Sequence, residues 1–150
     1  MGFNIVLVEP EIPTNTGNIG RLSLASGSVL HLVKPFGFEL DDKRLKRAGL
    51  DYWKHISINI YENIEDFYLK NKDVNMVYFS SSATKNYTTI NFQDNMFFLF
   101  GKESVGLSKK ITVKNSDNLY KIPIYSKDVR SLNLANAVSI VVYEALRNLK

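Results

Sequence analysis

The 150-residue chain has no cysteine. That excludes disulfides, thiolate metal sites and a cysteine nucleophile. Histidine is nearly as scarce. His31 and His55 are the two present, and neither has carboxylates at metal-ligand spacing, so both read as structural and no metal is expected. No apolar run approaches the eighteen or so residues of a membrane span. Met1 to Pro10 reads as a strand, not as a charged and then apolar leader, so the expectation is a cytoplasmic protein with no membrane partner. The chain also lacks a Gly-x-Gly-x-x-Gly turn after its first apolar run, which argues against the ordinary Rossmann phosphate site and hence against a nicotinamide-dependent oxidoreductase.

What is present describes an ordinary globular domain spanning residues 1–150. Hydrophobic residues make up 45% and charged residues 23%, which argues against disorder. Nineteen basic residues against fifteen acidic ones leave a formal charge of +4, a mild bias toward a polyanionic partner.

Local patterns predict alternating strands and helices. Phe3 to Val8 is a strand-length apolar run, ended by Glu9-Pro10-Glu11-Ile12-Pro13, where two prolines oppose helix and central strand alike. Thr14 or Asn15 can cap a helix carrying Ile19, Leu22 and Ala25, stopped at Gly27. Val29 to Val33 reads as a strand, Asp41 to Ala48 as a short basic helix stopped by Gly49, and Ile56 to Ile60 as another strand. A helix is expected over Ile64 to Leu69, and buried strands over Val74 to Ser80 and Met96 to Phe100. Leu119 to Ile122 is a further strand. Leu134 to Leu149 places Leu134, Val138, Val141, Val142, Ala145 and Leu149 on one apolar stripe. The alternation implies an α/β fold with a mostly parallel sheet covered on both faces, whose sites lie at the carboxyl ends of the strands.

Three segments follow such strand ends. Asn15-Thr16-Gly17-Asn18-Ile19-Gly20-Arg21 reads as a turn into a helix, able to offer backbone N–H groups to an anion, with Arg21 suited to phosphate. Alone it reads better as an Asn cap with a solvated Arg. Phe100 to Leu107 brackets Lys102 and Glu103 between two glycines, as a ligand-binding loop or as a tight strand-to-helix turn. Beyond Ile122-Pro123-Ile124, Ser131 and Asn133 are both natural helix caps; one suffices, which leaves the other free.

Taken in this order, the three segments resemble the motifs of the SPOUT superfamily, methyltransferases with a knotted α/β fold. Asn4 to Pro13, Asp41 to Tyr52 and Val141 to Ala145 are similar to the short single-domain branch that methylates the wobble nucleotide of certain leucine tRNAs. The resemblance covers nearly the whole chain. It implies S-adenosylmethionine as methyl donor, a deep C-terminal trefoil knot and a homodimer. It further implies cofactor contacts from Phe79, Gly101, Ile122 and Ser131, and a catalytic set of Arg21 with Asn15, Glu103 and Asn133 holding it and the ribose. Tyr143 is expected at the dimer interface or the site, or else in the core. Lys43, Arg44, Lys46, Arg47 and Lys85 are expected to bind tRNA, although the helical four also read as a solvated face.

The missing cysteine agrees with this implication, since attack on a pyrimidine C5 ordinarily needs a thiolate and methylation of a hydroxyl does not. Where related wobble enzymes often carry Thr-Lys, this chain has Ser80-Ser81-Ser82, with Lys85 three residues on. An arginine side chain rarely gives up its proton. Arg21 is therefore either a base helped by the substrate phosphate or only a clamp on it. Two alternatives stay open: a 2′-O-methyltransferase of another RNA such as rRNA, and a non-catalytic RNA-binding module of the same fold.

Overall fold

The computed structural model describes residues 2–149; Met1, Lys150 and the side chains of Gly49, Leu50 and Asp51 lie outside the described residues. Seven parallel strands form one sheet in the order β3-β2-β1-β6-β4-β7-β5. They are β1 (Asn4–Val8), β2 (Val29–Val33), β3 (Ile58–Tyr61), β4 (Met76–Phe79), β5 (Lys85–Asn86), β6 (Phe97–Phe100) and β7 (Leu119–Lys121). The helices are α1 (Pro13–Ala25), α2 (Lys43–Gly49), α3 (Ile64–Lys70), α4 (Lys109–Lys114) and α5 (Leu134–Leu149).

The central strands are apolar on both faces, so each face needs a helical cover. Ile5 and Leu7 pack with Ile19 of α1 and with Val138, Val141, Val142 and Ala145 of α5. Val6 and Val8 point the other way, toward Phe67 of α3 and Ile111 of α4. The stripe expected on the last helix is therefore its buried face, where each enclosed valine contributes about 1.5–3 kcal/mol.

Register decides where the site sits. Leu7 and Phe79 both pair with Phe100, and Phe79 also pairs with Tyr120, so β1, β6, β4 and β7 end together. Glu9, Ser80, Gly101 and Ile122 follow those ends directly or within two residues.

Helix α1 departs from the sequence expectation in three ways. It starts at Pro13, with Ile12 in the capping position and no side-chain cap, so neither Thr14 nor Asn15 caps it. Proline is tolerated there because its missing N–H has no partner to lose in the first turn. Asn15 to Arg21 is consequently helical, not a turn, and its N–H groups are not free for an anion. The buried face keeps only part of the Ile19, Leu22, Ala25 stripe: Ile19 is in the core and Leu22 packs half-buried against it. Asn15, Thr16, Gly17, Ile19, Gly20 and Ser23 are buried, while Ala25 is exposed. Small residues face inward because the neighbours come close: a Cβ on Gly20 would stand 2.7 Å from the Trp53 ring.

The basic helix begins at Lys43, two residues later than expected, and Gly49 does not end the turn-forming run, which continues as a 3₁₀ helix over Leu50–His55. Strand β3 starts at Ile58 and not at Ile56. The short edge strand β5 and helix α4 carry no clear periodicity. Both are held by their surroundings, α4 with the Ser108 side chain capping the Ile111 N–H.

His31 is a buried core histidine. Its Nδ1 meets the Tyr61 hydroxyl at 2.9 Å and its Nε2 meets Asn4 Oδ1 at 2.9 Å. Desolvation pushes its pKa down to about 4. His55 is exposed.

Candidate active site

A cavity of about 580 Å³ opens at the aligned carboxyl ends of β1, β6, β4 and β7, a size suited to a nucleoside-containing cofactor. Phe79, Gly101, Ile122 and Ser131 line it, as do Asn15, Glu103 and Asn133. Its floor is partly aromatic, with the Phe79 and Phe100 rings stacked at 4.8 Å between centroids. Gly101 is required sterically, because a Cβ there would fall 2.1 Å from the carbonyl carbon of Gly106. The loop closes on itself through the Gly106 N–H, which donates to the Lys102 carbonyl at 2.8 Å, with Gly106 at a φ of 73°.

Glu103 organises the polar wall. Its Oε1 accepts the Glu11 N–H at 2.8 Å, and its Oε2 accepts the Ile12 N–H at 2.9 Å and the Asn15 Nδ2 at 3.2 Å. A carboxylate from a distant loop thus supplies the negative charge that the start of α1 lacks in its own sequence. The orientation of the two amides follows from this. A carboxylate only accepts, so Asn15 turns its NH₂ toward Glu103 and its oxygen toward Asn133. Asn133 Nδ2 donates to Asn15 Oδ1 at 3.1 Å, and Asn133 Oδ1 accepts the Asn136 N–H at 3.2 Å. Asn133 is therefore the cap of α5, and Ser131 is the residue left free, exposed at the cavity. Each amide keeps one N–H unspent, while Glu103 has three of its roughly four acceptor sites filled.

Two further contacts pin the same loops together, and sequence reasoning missed both. Lys102 Nζ lies 3.0 Å from Glu9 Oε1, and the Ser104 N–H donates to Glu11 Oε1 at 2.8 Å. The Ser104 bonds, foremost the backbone one, hold the Glu11 carboxyl below its ordinary pKa; the Glu9 carboxylate raises that of Lys102. Glu9 itself sits at a φ of 57°, an unusual conformation for a glutamate. The one sequence signal is the pair of carboxylates alternating with prolines.

Arg21 stands apart. It is exposed on α1 and absent from the cavity wall, with its guanidinium carbon 5.4 Å from the Tyr52 ring centroid. Among the described residues it makes no hydrogen bond with Asn15, Glu103 or Asn133, which within one chain bond to each other and not to Arg21. Six helical residues turn Arg21 well away from Asn15.

Lys43, Arg44, Lys46 and Arg47 are exposed on α2, but Arg44 is paired with Asp42 at 3.0 Å. Lys85 lies on the edge strand β5, where its ammonium donates to the Asp117 carbonyl at 2.6 Å and sits 5.5 Å from the Tyr120 ring centroid. Tyr143 is half exposed, at 50%, on the outer face of α5, which corrects the core alternative.

Comparison with known proteins agrees with this geometry. Residues 2–143 match the model of the SpoU rRNA Methylase family. A protein of Geobacillus stearothermophilus is 43% identical over 150 residues, covering 98% of this chain and 95% of that one. A protein of Saccharophagus degradans named tRNA (cytidine(34)-2'-O)-methyltransferase is 44% identical, covering 98% of this chain and 96% of its own length. A solved structure described as giving insight into 2-OH methylation of C/U34 on tRNA superposes with a TM-score of 0.94 at 38% identity, covering 99% of this chain and 96% of that one. An AdoMet-bound rRNA methyltransferase from Sinorhizobium meliloti superposes with a TM-score of 0.87 at 27% identity, covering 99% of this chain and 57% of that one.

Proposed function

Since the chain belongs to the SpoU rRNA methylase family, we propose that it is a tRNA 2′-O-methyltransferase acting on the ribose of the wobble nucleotide, position 34, cytidine or modified uridine, of leucine tRNA. The observation that carries the methyl-transfer reading is the Glu103–Asn15–Asn133 relay on the wall of a cavity of about 580 Å³ at the strand ends. Similarity to proteins named or described for position 34 of tRNA supports the substrate. The cavity fits S-adenosylmethionine in size, in its partly aromatic lining, and in a loop whose fold requires glycine at Gly101, since a Cβ there would strike the Gly106–Leu107 backbone.

When bound, S-adenosylmethionine supplies a methyl group on a sulfonium already activated for displacement. The chain's own residues then have to place a ribose hydroxyl and take its proton. Asn15 and Asn133 line the cavity, and each keeps one N–H with which it can orient the ribose oxygens. The relay offers little vacant acceptor for the hydroxyl proton, so the base comes from outside it. Arg21 fits that role if a second copy presents it: the residue is exposed and stands away from its own cavity. For Arg21 to take the hydroxyl proton, its guanidinium would have to pass one of its own protons to the substrate phosphate it contacts, so that Arg21 relays the proton and the phosphate ends up holding it. Exposed apolar side chains on the same helices, Leu24 of α1 with Ile140 and Tyr143 of α5, support a homodimer through these faces. The sheet order, with β7 between β4 and β5, is compatible with the C-terminal trefoil knot of the superfamily. Lys43, Lys46 and Arg47, in no ion pair among the described residues, supply positive charge for the tRNA backbone, with the protein acting in the cytoplasm as one domain over 1–150.

The test is transfer of labelled methyl from S-adenosylmethionine to total tRNA from a strain lacking the gene, with the product nucleoside identified. The expected product is 2′-O-methylated cytidine or uridine at the wobble position. No incorporation with cofactor binding intact would move the substrate to another RNA; loss of both would leave a binding module. Arg21→Lys keeps the charge but loses the fork, so wild-type turnover in that variant would overturn the role given to Arg21.

A further inference from the structure

The segment between β7 and α5 carries a tyrosine with nothing to do in the folded chain. Tyr125 is 95% exposed. Most of the other tyrosine rings are engaged: Tyr61, Tyr68 and Tyr78 through hydroxyl hydrogen bonds, Tyr52 and Tyr120 beneath cations. Single exposed apolar residues are common, but here several are clustered. Among the exposed large hydrophobic residues, Ile12, Val105 and Leu132 line the cavity, and Tyr125 and Val129 stand in the loop whose Ile124 and Arg130 also line it. That loop is basic as well, with Lys127 and Arg130 exposed and in no ion pair among the described residues, against one carboxylate at Asp128.

Resting on the methyltransferase reading above, we propose that Tyr125 is a stacking platform for a base of the RNA substrate, with Lys127 meeting an adjacent phosphate. A ribose delivered to the cavity mouth has to leave the stack of its neighbours, since its hydroxyl cannot otherwise enter. Its base, or the base beside it, then loses a stacking partner. An exposed ring on the rim replaces that partner whatever the base, because every base has a π-face. Cations on the same loop suit the phosphates that flank a splayed nucleotide. A protein partner would account for the apolar rim but not for the cations beside it.

The experiment titrates wild type, Tyr125→Ala, Tyr125→Phe and Lys127→Gln with a leucine anticodon stem–loop RNA at several salt concentrations, alongside steady-state kinetics and sedimentation. Tyr125→Ala should weaken RNA binding and raise the KM for RNA about tenfold, the scale of one lost base–aromatic stack. Its kcat, its affinity for S-adenosylmethionine and its salt slope should stay at wild-type values, and Tyr125→Phe should behave as wild type. Lys127→Gln should instead reduce the salt slope by about one. The proposal is overturned if Tyr125→Ala binds the RNA as wild type does, if Tyr125→Phe is as weak as Tyr125→Ala, or if the alanine variant changes oligomeric state. Should the wild type bind the RNA yet transfer no methyl, the functional reading fails while the titration still decides the stack.

Discussion

The two ends of the parallel sheet are built from different chemistry. At the carboxyl ends, charged side chains cross between loops: Glu103 to the start of α1, Glu9 to Lys102, Glu11 to the Ser104 amide. One glycine is packed too tightly for any side chain, and one glutamate is held at a left-handed φ of 57°. At the amino ends lies a second hollow, of about 490 Å³, and its wall is made largely of neutral amides: Asn75, Asn91, Gln93, Asn115 and Asn118. These amides bond nearby, Asn75 to Gln93 at 2.7 Å and Asn115 to the Ile111 carbonyl at 2.8 Å. Neutral amides satisfy each other at little electrostatic cost, and a surface of them needs no exact register between distant loops. Carboxylates bonded to backbone amides on other segments do need it. Left-handed backbone and a glycine without room for a Cβ occur at the amino ends too, at Asp73, Asn95 and Gly2. What marks the end with the candidate site is therefore its cluster of carboxylates shared between distant loops.

The sharpest way to break this comparison is to substitute one residue at each end. Gly101→Ala should abolish S-adenosylmethionine binding in calorimetry and lower the melting temperature, because the new Cβ would lie 2.1 Å from backbone at Gly106 and Leu107. Asn118→Ala, exposed on the opposite hollow, should leave both unchanged. Equal effects would remove the distinction between the ends.

A pH series tests the amino-end half, where His31 meets Asn4. Its folded pKa lies at about 4, below the ordinary value of 6.5. The unfolded chain therefore takes up this proton first. The stability that neutral His31 contributes is full above pH 6.5 and is lost as the pH falls toward 4. The whole loss should come to about 3 kcal/mol, since each tenfold weakening of proton affinity is worth roughly 1.4 kcal/mol. Urea unfolding of wild type and His31→Gln at intervals between those pH values measures it. A variant with the same pH dependence as wild type would show that other groups cause the loss.

The smallest effect is expected at Glu103. Glu103→Gln turns one acceptor into a donor facing the Asn15 and backbone N–H groups. On this partly exposed carboxylate the cost to stability should be about 1–2 kcal/mol in urea unfolding. Methyl transfer should fall further than stability does, since the same change frees the Asn15 amide to rotate. If activity and stability fell in step, Glu103 would be a helix anchor with no share in ordering the site.

Much of the fold is legible in the residues alone. Val29–Val33 and Leu134–Leu149 stand where their patterns place them, since a doubly covered strand and a one-sided helix leave strong periodic signals. Helix α1 is not legible at its start, because the bonds that begin it come from Glu103, about ninety residues away. Its inward glycine answers to Trp53, which no local pattern announces. Composition and spacing determined the class of fold, the freedom from cysteine chemistry, and the loops worth watching, because those depend on neighbours in the chain. Only the tertiary structure decided that Asn15, Glu103 and Asn133 form one relay and that Arg21 lies outside it. Strand register brings together what sequence separates, while helical pitch turns Asn15 and Arg21, six residues apart, to different faces of α1.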